Sequence, residues 1–155
     1  MVAPIIVALG GSLLYGDHDV KTWLGQLRQT LVHIEGNGRK IGLVVGGGKP
    51  AREGITLANE VISDRFRLDD IGIAATRLNA TILQKMLQEI GCNVAKSIPQ
   101  TTTEAAAMFD SFNIVVMGGT KPGHTTDAVS VAFARDAGSA HVIIATNVSH
   151  VYTAD

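Results

Sequence analysis

The chain has 155 residues, about one domain's worth, and 46% of them are hydrophobic against 17% charged. That apolar share is ample for a packed core and excludes a disordered or fibrous chain. A net charge of −1, with neither half strongly basic or acidic, disfavours nucleic-acid binding by bulk charge. Cys92 is the sole cysteine, so no intramolecular disulfide forms, which suits a reducing cytoplasm. No stretch approaches the roughly 20 apolar residues of a membrane span. The apolar opening lacks the cationic start of a signal peptide, so it reads as a buried first strand.

Apolar runs alternate with helical patterns along the chain. Pro4–Leu9 is short and rich in β-branched residues, and Gly10–Gly11 close it. Asp19 is placed to cap a helix reaching about Glu35, with Trp23, Leu24, Leu27, Leu31 and Ile34 on one face and Gly36 as its stop. Ile41–Val45 is the second expected strand and runs into Gly46–Gly48. Pro50 suits the first turn of a helix over about Ala51–Ile62, and a longer helical pattern covers Asp69–Ile90 up to Gly91. A third strand is expected over Asn93–Ile98 and a short helix over Thr103–Phe109. Ile114–Met117 is the fourth strand, Asp127–Ala137 a helix and His141–Ala145 the fifth strand. Strands apolar on both faces, separated by helices, predict an α/β fold with a mainly parallel sheet covered on both sides.

In such sheets ligands sit beyond the carboxyl ends of the strands. The glycine-rich or polar segments Gly10–Ser12, Gly46–Gly48, Gly118–Thr126 and Thr146–Asn147 all fall at those ends. Gly46–Gly48 joins a strand to a helix, so its backbone N–H groups can approach an anion, with the helix N-terminus, Lys49 and Arg52 adding positive charge. A plain tight turn explains the glycines alone; Arg52 tips the balance towards phosphate. Neither G-x-x-x-x-G-K-S/T nor G-x-G-x-x-G is present.

The run from Gly118 to Asp127 gathers hydroxyls, a lysine and an imidazole in one loop. It reads as a ligand site, with Thr126 or Asp127 as N-cap of the following helix. Asp69 and Asp70 read as a carboxylate pair at a helix start, and Arg77 and Asn79 as mid-helix surface or interface groups. His18, His33, His141 and His150 have no close metal-ligand spacing, so no protein metal site is expected.

The segments LGGSLL (Leu9–Leu14), VVGGGKPAR (Val44–Arg52), LDDIGIAATRLNA (Leu68–Ala80), VMGGTKPGHTTDAV (Val116–Val129) and ATNVSHVYTAD (Ala145–Asp155) resemble the amino-acid kinase superfamily, and most closely its archaeal-type uridylate (UMP) kinases. The resemblance implies a three-layer α/β/α sandwich. The activity it implies is transfer of the γ-phosphoryl group of ATP to UMP, giving UDP and ADP with Mg2+ in pyrimidine nucleotide synthesis, by a cytoplasmic homo-oligomer, commonly a hexamer. It implies UMP contacts at Gly47 and Asp69, the latter towards the ribose hydroxyls. Thr120, Lys121, Pro122, Gly123, His124, Thr125 and Thr126 would wrap the uracil and its phosphate. Gly10, Gly11, Ser12, Gly48 and Arg52 would face the transferred and ATP phosphates. Thr146, Asn147, Tyr152 and Asp155 would begin the ATP nucleoside site. Arg52 and Asp127 are the implied catalytic residues, Asp127 by organising metal or cationic groups.

Ala8 stands where much of the superfamily has a lysine, leaving Arg52, Lys49, Lys121 and Mg2+ as candidate countercharges. Ser149–His150 replaces the usual Asp–Gly, and family members continue beyond Asp155. One incomplete kinase domain is therefore expected, with an acceptor part over about residues 1–126, the start of an ATP part over 127–155, and impaired or absent catalysis by these residues alone. The alternative is a non-catalytic module of the same fold that binds nucleotides or oxyanions.

Overall fold

A computed structural model describes residues 2–146. The elements are β1 (Ile5–Leu9), a 3-10 turn over Gly11–Leu13, α1 (Val20–Gly36), β2 (Ile41–Val45), α2 (Gly48–Ala58), α3 (Arg65–Glu89), α4 (Thr102–Met108), β3 (Ile114–Met117), α5 (Thr126–Ala137) and β4 (Val142–Ala145). The four strands form one parallel sheet in the order β3-β2-β1-β4.

Alternation along the strands sorts the apolar side chains to two faces. Leu9, Ile41, Leu43, Val45, Ile114 and Val116 join Leu31 of α1 with Leu83 and Leu87 of α3 in one core. Ile6, Val44, Val115 and Met117 face α4 and α5, where Ala105, Phe109, Val129 and Phe133 complete a second core. The expected three-layer sandwich is therefore present. Gly42 leaves room for the Phe133 ring, since a Cβ there would lie 2.7 Å from it.

Helix ends follow local chemistry. Asp19 caps α1 as expected, accepting from the Thr22 amide at 3.1 Å and the Thr22 hydroxyl at 2.6 Å. The residue that turns left-handed after α1 is Gly38 rather than Gly36, and Gly91 and Gly138 do the same after α3 and α5. α2 begins at Gly48, three residues before the expected start, and ends at Ala58. α3 begins at Arg65 rather than Asp69, because Asp64 accepts from the Phe66 amide at 2.9 Å and serves as N-cap.

The expected third strand, Asn93–Ile98, is reduced to a single parallel bridge between Val94 and Ile114. The Ala95 amide donates to Ile114 and the Ile114 amide to Asn93. The Ala95 carbonyl is taken by the Gln84 side chain at 2.8 Å, and Pro99 has no N–H to continue a ladder. The segment thus covers the outer edge of β3 without becoming a strand. Coverage of β4 is less than expected: Ile143 and Ile144 are more than half exposed. No helix among the described residues is long and apolar enough to cross a membrane.

Candidate active site

Parallel strands bring their carboxyl ends to one edge, and the loops that leave that edge touch one another. After β1, the Gly10 amide donates to Ala145 at the end of β4 (2.9 Å), which sets Thr146 beside Gly10. After β2, the Gly46 amide donates to Leu9 at 2.9 Å. Gly11 and Gly48 then meet backbone to backbone: a Cβ on Gly11 would lie 2.3 Å from the Gly48 nitrogen, and one on Gly48 would lie 2.7 Å from the Gly11 carbonyl carbon. Gly48 has φ +55°, a conformation that costs glycine little.

Among the described residues, the N–H groups of Gly11, Ser12, Gly47 and Gly48 have no hydrogen-bond acceptor. Two of them open α2, where the helix dipole is positive. The combination is a site for an anion built from main chain.

Next to this nest lies a cleft of about 350 Å³. Gly47, Ala51 and Ile55 of the α2 region form one wall, and Asp69, Gly72, Ile73 and Thr76 of α3 another. The loop Lys121–Thr126 closes it. Asp69 stands in the second turn of α3 and does not cap the helix; its Oδ2 accepts from the Gly123 amide at 3.1 Å, tying the loop to α3. Thr125, not Thr126 or Asp127, is the N-cap of α5, accepting from Ala128 at 3.1 Å. Thr120 borders a second cleft of similar size, shared by Lys121 and His124 with Thr102 of α4 and Arg135 of α5.

The two expected catalytic residues lie outside the lining of the main cleft. Arg52 is the fifth residue of α2 and is exposed; Asp127 is exposed in the first turn of α5, where a carboxylate suits the dipole. Asn147, Tyr152 and Asp155 lie outside the described residues. Among the described residues no three His, Cys, Asp or Glu side chains come together to hold a metal.

Two residues expected at the surface prove central. Asn79 is fully buried and donates from Nδ2 to the carbonyls of Gly46 (2.8 Å) and Gly47 (2.9 Å). Arg77 donates to the carbonyls of Gly119 (3.2 Å) and Thr120 (3.1 Å). Thr76, next to Arg77 in the chain, accepts from the Gly119 amide at 2.7 Å. One stretch of α3 therefore holds both the triple-glycine turn and the loop after β3. The sequence did carry a signal for Asn79: it shares a helix face with Thr76, Leu83 and Leu87, a polar group on an apolar stripe.

These glycine-linked loops on a parallel sheet have counterparts in known proteins, and the amino acid kinase family model matches residues 3–155. The chain belongs to the amino acid kinase family. A uridylate kinase from Methanococcus maripaludis is 38% identical over 152 residues, which is 97% of this chain and 66% of that protein. The crystal structure of uridylate kinase from Archaeoglobus fulgidus superimposes with a TM-score of 0.79 at 39% identity, covering 98% of this chain and 67% of the other. UMP kinase from Ureaplasma parvum shares the fold at TM-score 0.72 and 20% identity. The chain thus spans about two thirds of the length of the relatives it matches.

Proposed function

We propose that the protein containing this chain is a UMP kinase, moving the γ-phosphoryl group of ATP onto the phosphate of UMP. The observation that carries the reading is adjacency: a cleft sized for a nucleoside opens beside a main-chain anion nest, with Gly47 common to both. Uridylate kinases at 38–39% identity support the choice of acceptor.

In this reading the UMP phosphate rests on the N–H groups of Gly47 and Gly48, and the ribose lies by Asp69, whose Oδ1 is left to accept a hydroxyl. The loop Thr120–Thr126 surrounds the uracil. Gly10, Gly11, Ser12, Gly48 and Arg52 face the phosphates of ATP, and Thr146, Asn147, Tyr152 and Asp155 begin its nucleoside site. A UMP phosphate oxygen attacks the γ-phosphorus, the bond from that phosphorus to the β-bridging oxygen breaks, and ADP leaves. Both reactants are anionic, so positioning and charge neutralisation are the protein's main tasks. Arg52, Lys49 and Lys121 bring positive charge, Asp127 orders the cationic groups, and Mg2+ arrives on the ATP phosphates as part of the co-substrate. A homo-oligomer in the cytoplasm goes with this reading.

The test is transfer of labelled γ-phosphate from ATP by the intact natural protein, with UMP, CMP and dUMP offered separately. UMP-dependent formation of labelled UDP is expected. Transfer to none of the three, with nucleotide binding retained, would favour the non-catalytic module.

A further inference from the structure

Asn79 has no reason to be buried among apolar side chains except the bonds it makes. It lies on the α3 face that also carries Leu83 and Leu87, is 0% exposed, and spends both ends of its amide on the site loops. Nδ2 donates to Gly46 and Gly47, and Oδ1 accepts from the Tyr15 hydroxyl at 2.7 Å. Because carbonyls only accept, the amide has one orientation that satisfies all three bonds. Tyr15 follows the 3-10 turn that carries Gly11 and Ser12. Asn79 therefore bridges the loop after β1 and the loop after β2.

The consequence follows from peptide geometry. In a trans peptide the C=O of one residue and the N–H of the next point in opposite directions, and no cis bond is present among the described residues. Holding the Gly46 and Gly47 carbonyls towards α3 turns the N–H groups of Gly47 and Gly48 away from it. Those are two of the four N–H groups that lack acceptors. Glycines there have no side chain to keep either peptide from rotating; the Ala51 amide shares the Gly47 carbonyl at 3.3 Å, while the Gly46 carbonyl is held by Asn79.

We infer that Asn79 is a positioning residue for phosphate: with Tyr15 fixing its amide, it aims the Gly47 and Gly48 N–H groups at the acceptor phosphate and couples that loop to the one after β1. The inference rests on the proposed UMP site for the identity of the ligand, and on the structure alone for the geometry.

Calorimetry on the intact natural protein tests it, using UMP, uridine and orthophosphate as probes for the parent, Asn79→Ala and Tyr15→Phe. Asn79→Ala should shrink the affinity ratio of UMP to uridine at least tenfold while changing uridine affinity less than threefold. Tyr15→Phe should shrink the ratio about threefold. A merely structural residue would weaken UMP and uridine together, and that result overturns the inference. If Asn79→Ala does not fold, Tyr15→Phe carries the test, because Tyr15 is 39% exposed; an unchanged ratio then overturns it. A parent protein that does not prefer UMP to uridine defeats the proposed function instead. In that case weaker orthophosphate binding by the variants upholds the positioning role, and unchanged binding rejects it.

Discussion

A methyl group at residue 11 has nowhere to go. Its carbon would lie 2.3 Å from the Gly48 nitrogen and 2.7 Å from the Gly46 oxygen, and these are backbone atoms that no rotamer change can move. Gly11→Ala must therefore push the loop after β1 away from the loop after β2, at a cost of about 1–3 kcal/mol for overpacking. The gap opens in the anion nest itself, so most of that cost is expected in phosphate binding and transfer. The expected fall in kcat/KM is roughly 5- to 150-fold, measured on the intact protein; activity within twofold of the parent would contradict the geometry. Gly25 is the control, because nothing lies within 4 Å of a Cβ there. Replacing glycine by alanine in that exposed helix should stabilise by about 0.5–1 kcal/mol.

Among the elements, α3 does the most to assemble the site, and its N-cap is where it is most simply weakened. Asp64→Ala removes the acceptor of the Phe66 amide. A loss of about 1 kcal/mol in unfolding free energy is expected, read as a lower urea midpoint at unchanged slope.

This helix also marks how far the sequence alone was legible. β1, β2 and β3 were readable because continuous apolar runs bounded by glycine have few other homes in a chain of this size. The site loops were readable because all of them follow such runs. The start of α3 was not, because Arg65, Phe66 and Arg67 carry no apolar period and Asp64 competes with Asp69 as a cap. Asn93–Ile98 has strand composition, but its pairing is decided by Gln84 and Ile114, residues distant in the chain. Arg77 was hidden by the general rule that polar residues on a helix point outward, and the same rule outweighed the place of Asn79 on an apolar stripe. Their partners are carbonyls of other loops, which no local pattern reveals.

At the scale of the whole molecule, acid sensitivity has two identifiable contributors among the described residues. The Thr22 hydroxyl and amide hold the Asp19 carboxyl below its ordinary value of 3.8. The Thr102 hydroxyl of α4 does the same for Asp136 of α5, with help from Arg135. A lowered carboxylate stabilises the folded state above its unfolded pKa, and the benefit disappears as pH falls through the lowered folded value. The share of stability owed to these two carboxylates should therefore be complete above about pH 3.8 and decline below it. The Thr22→Val, Thr102→Val double variant should show a shallower decline in urea midpoint between pH 5 and 2. Parallel acid limbs for parent and variant would count against this assignment.

The strand order has a consequence for how the protein is made. β1 is synthesised before β2, β3 and β4, yet it ends in the interior of the sheet, with Ile6 opposite Gly42 on one side and Val142 on the other. Its first neighbour follows within a few dozen residues, whereas its second arrives only after α2, α3, α4, β3 and α5 have been synthesised. At roughly 5–20 residues per second, the nascent chain holds one bare side of β1 for on the order of 5–20 s. That side is an apolar strand edge open to pairing with any other chain in reach. The segment that later places Thr146 beside Gly10 is thus also the one that ends this exposure, so bringing these two loops together and protecting the newborn polypeptide are a single event.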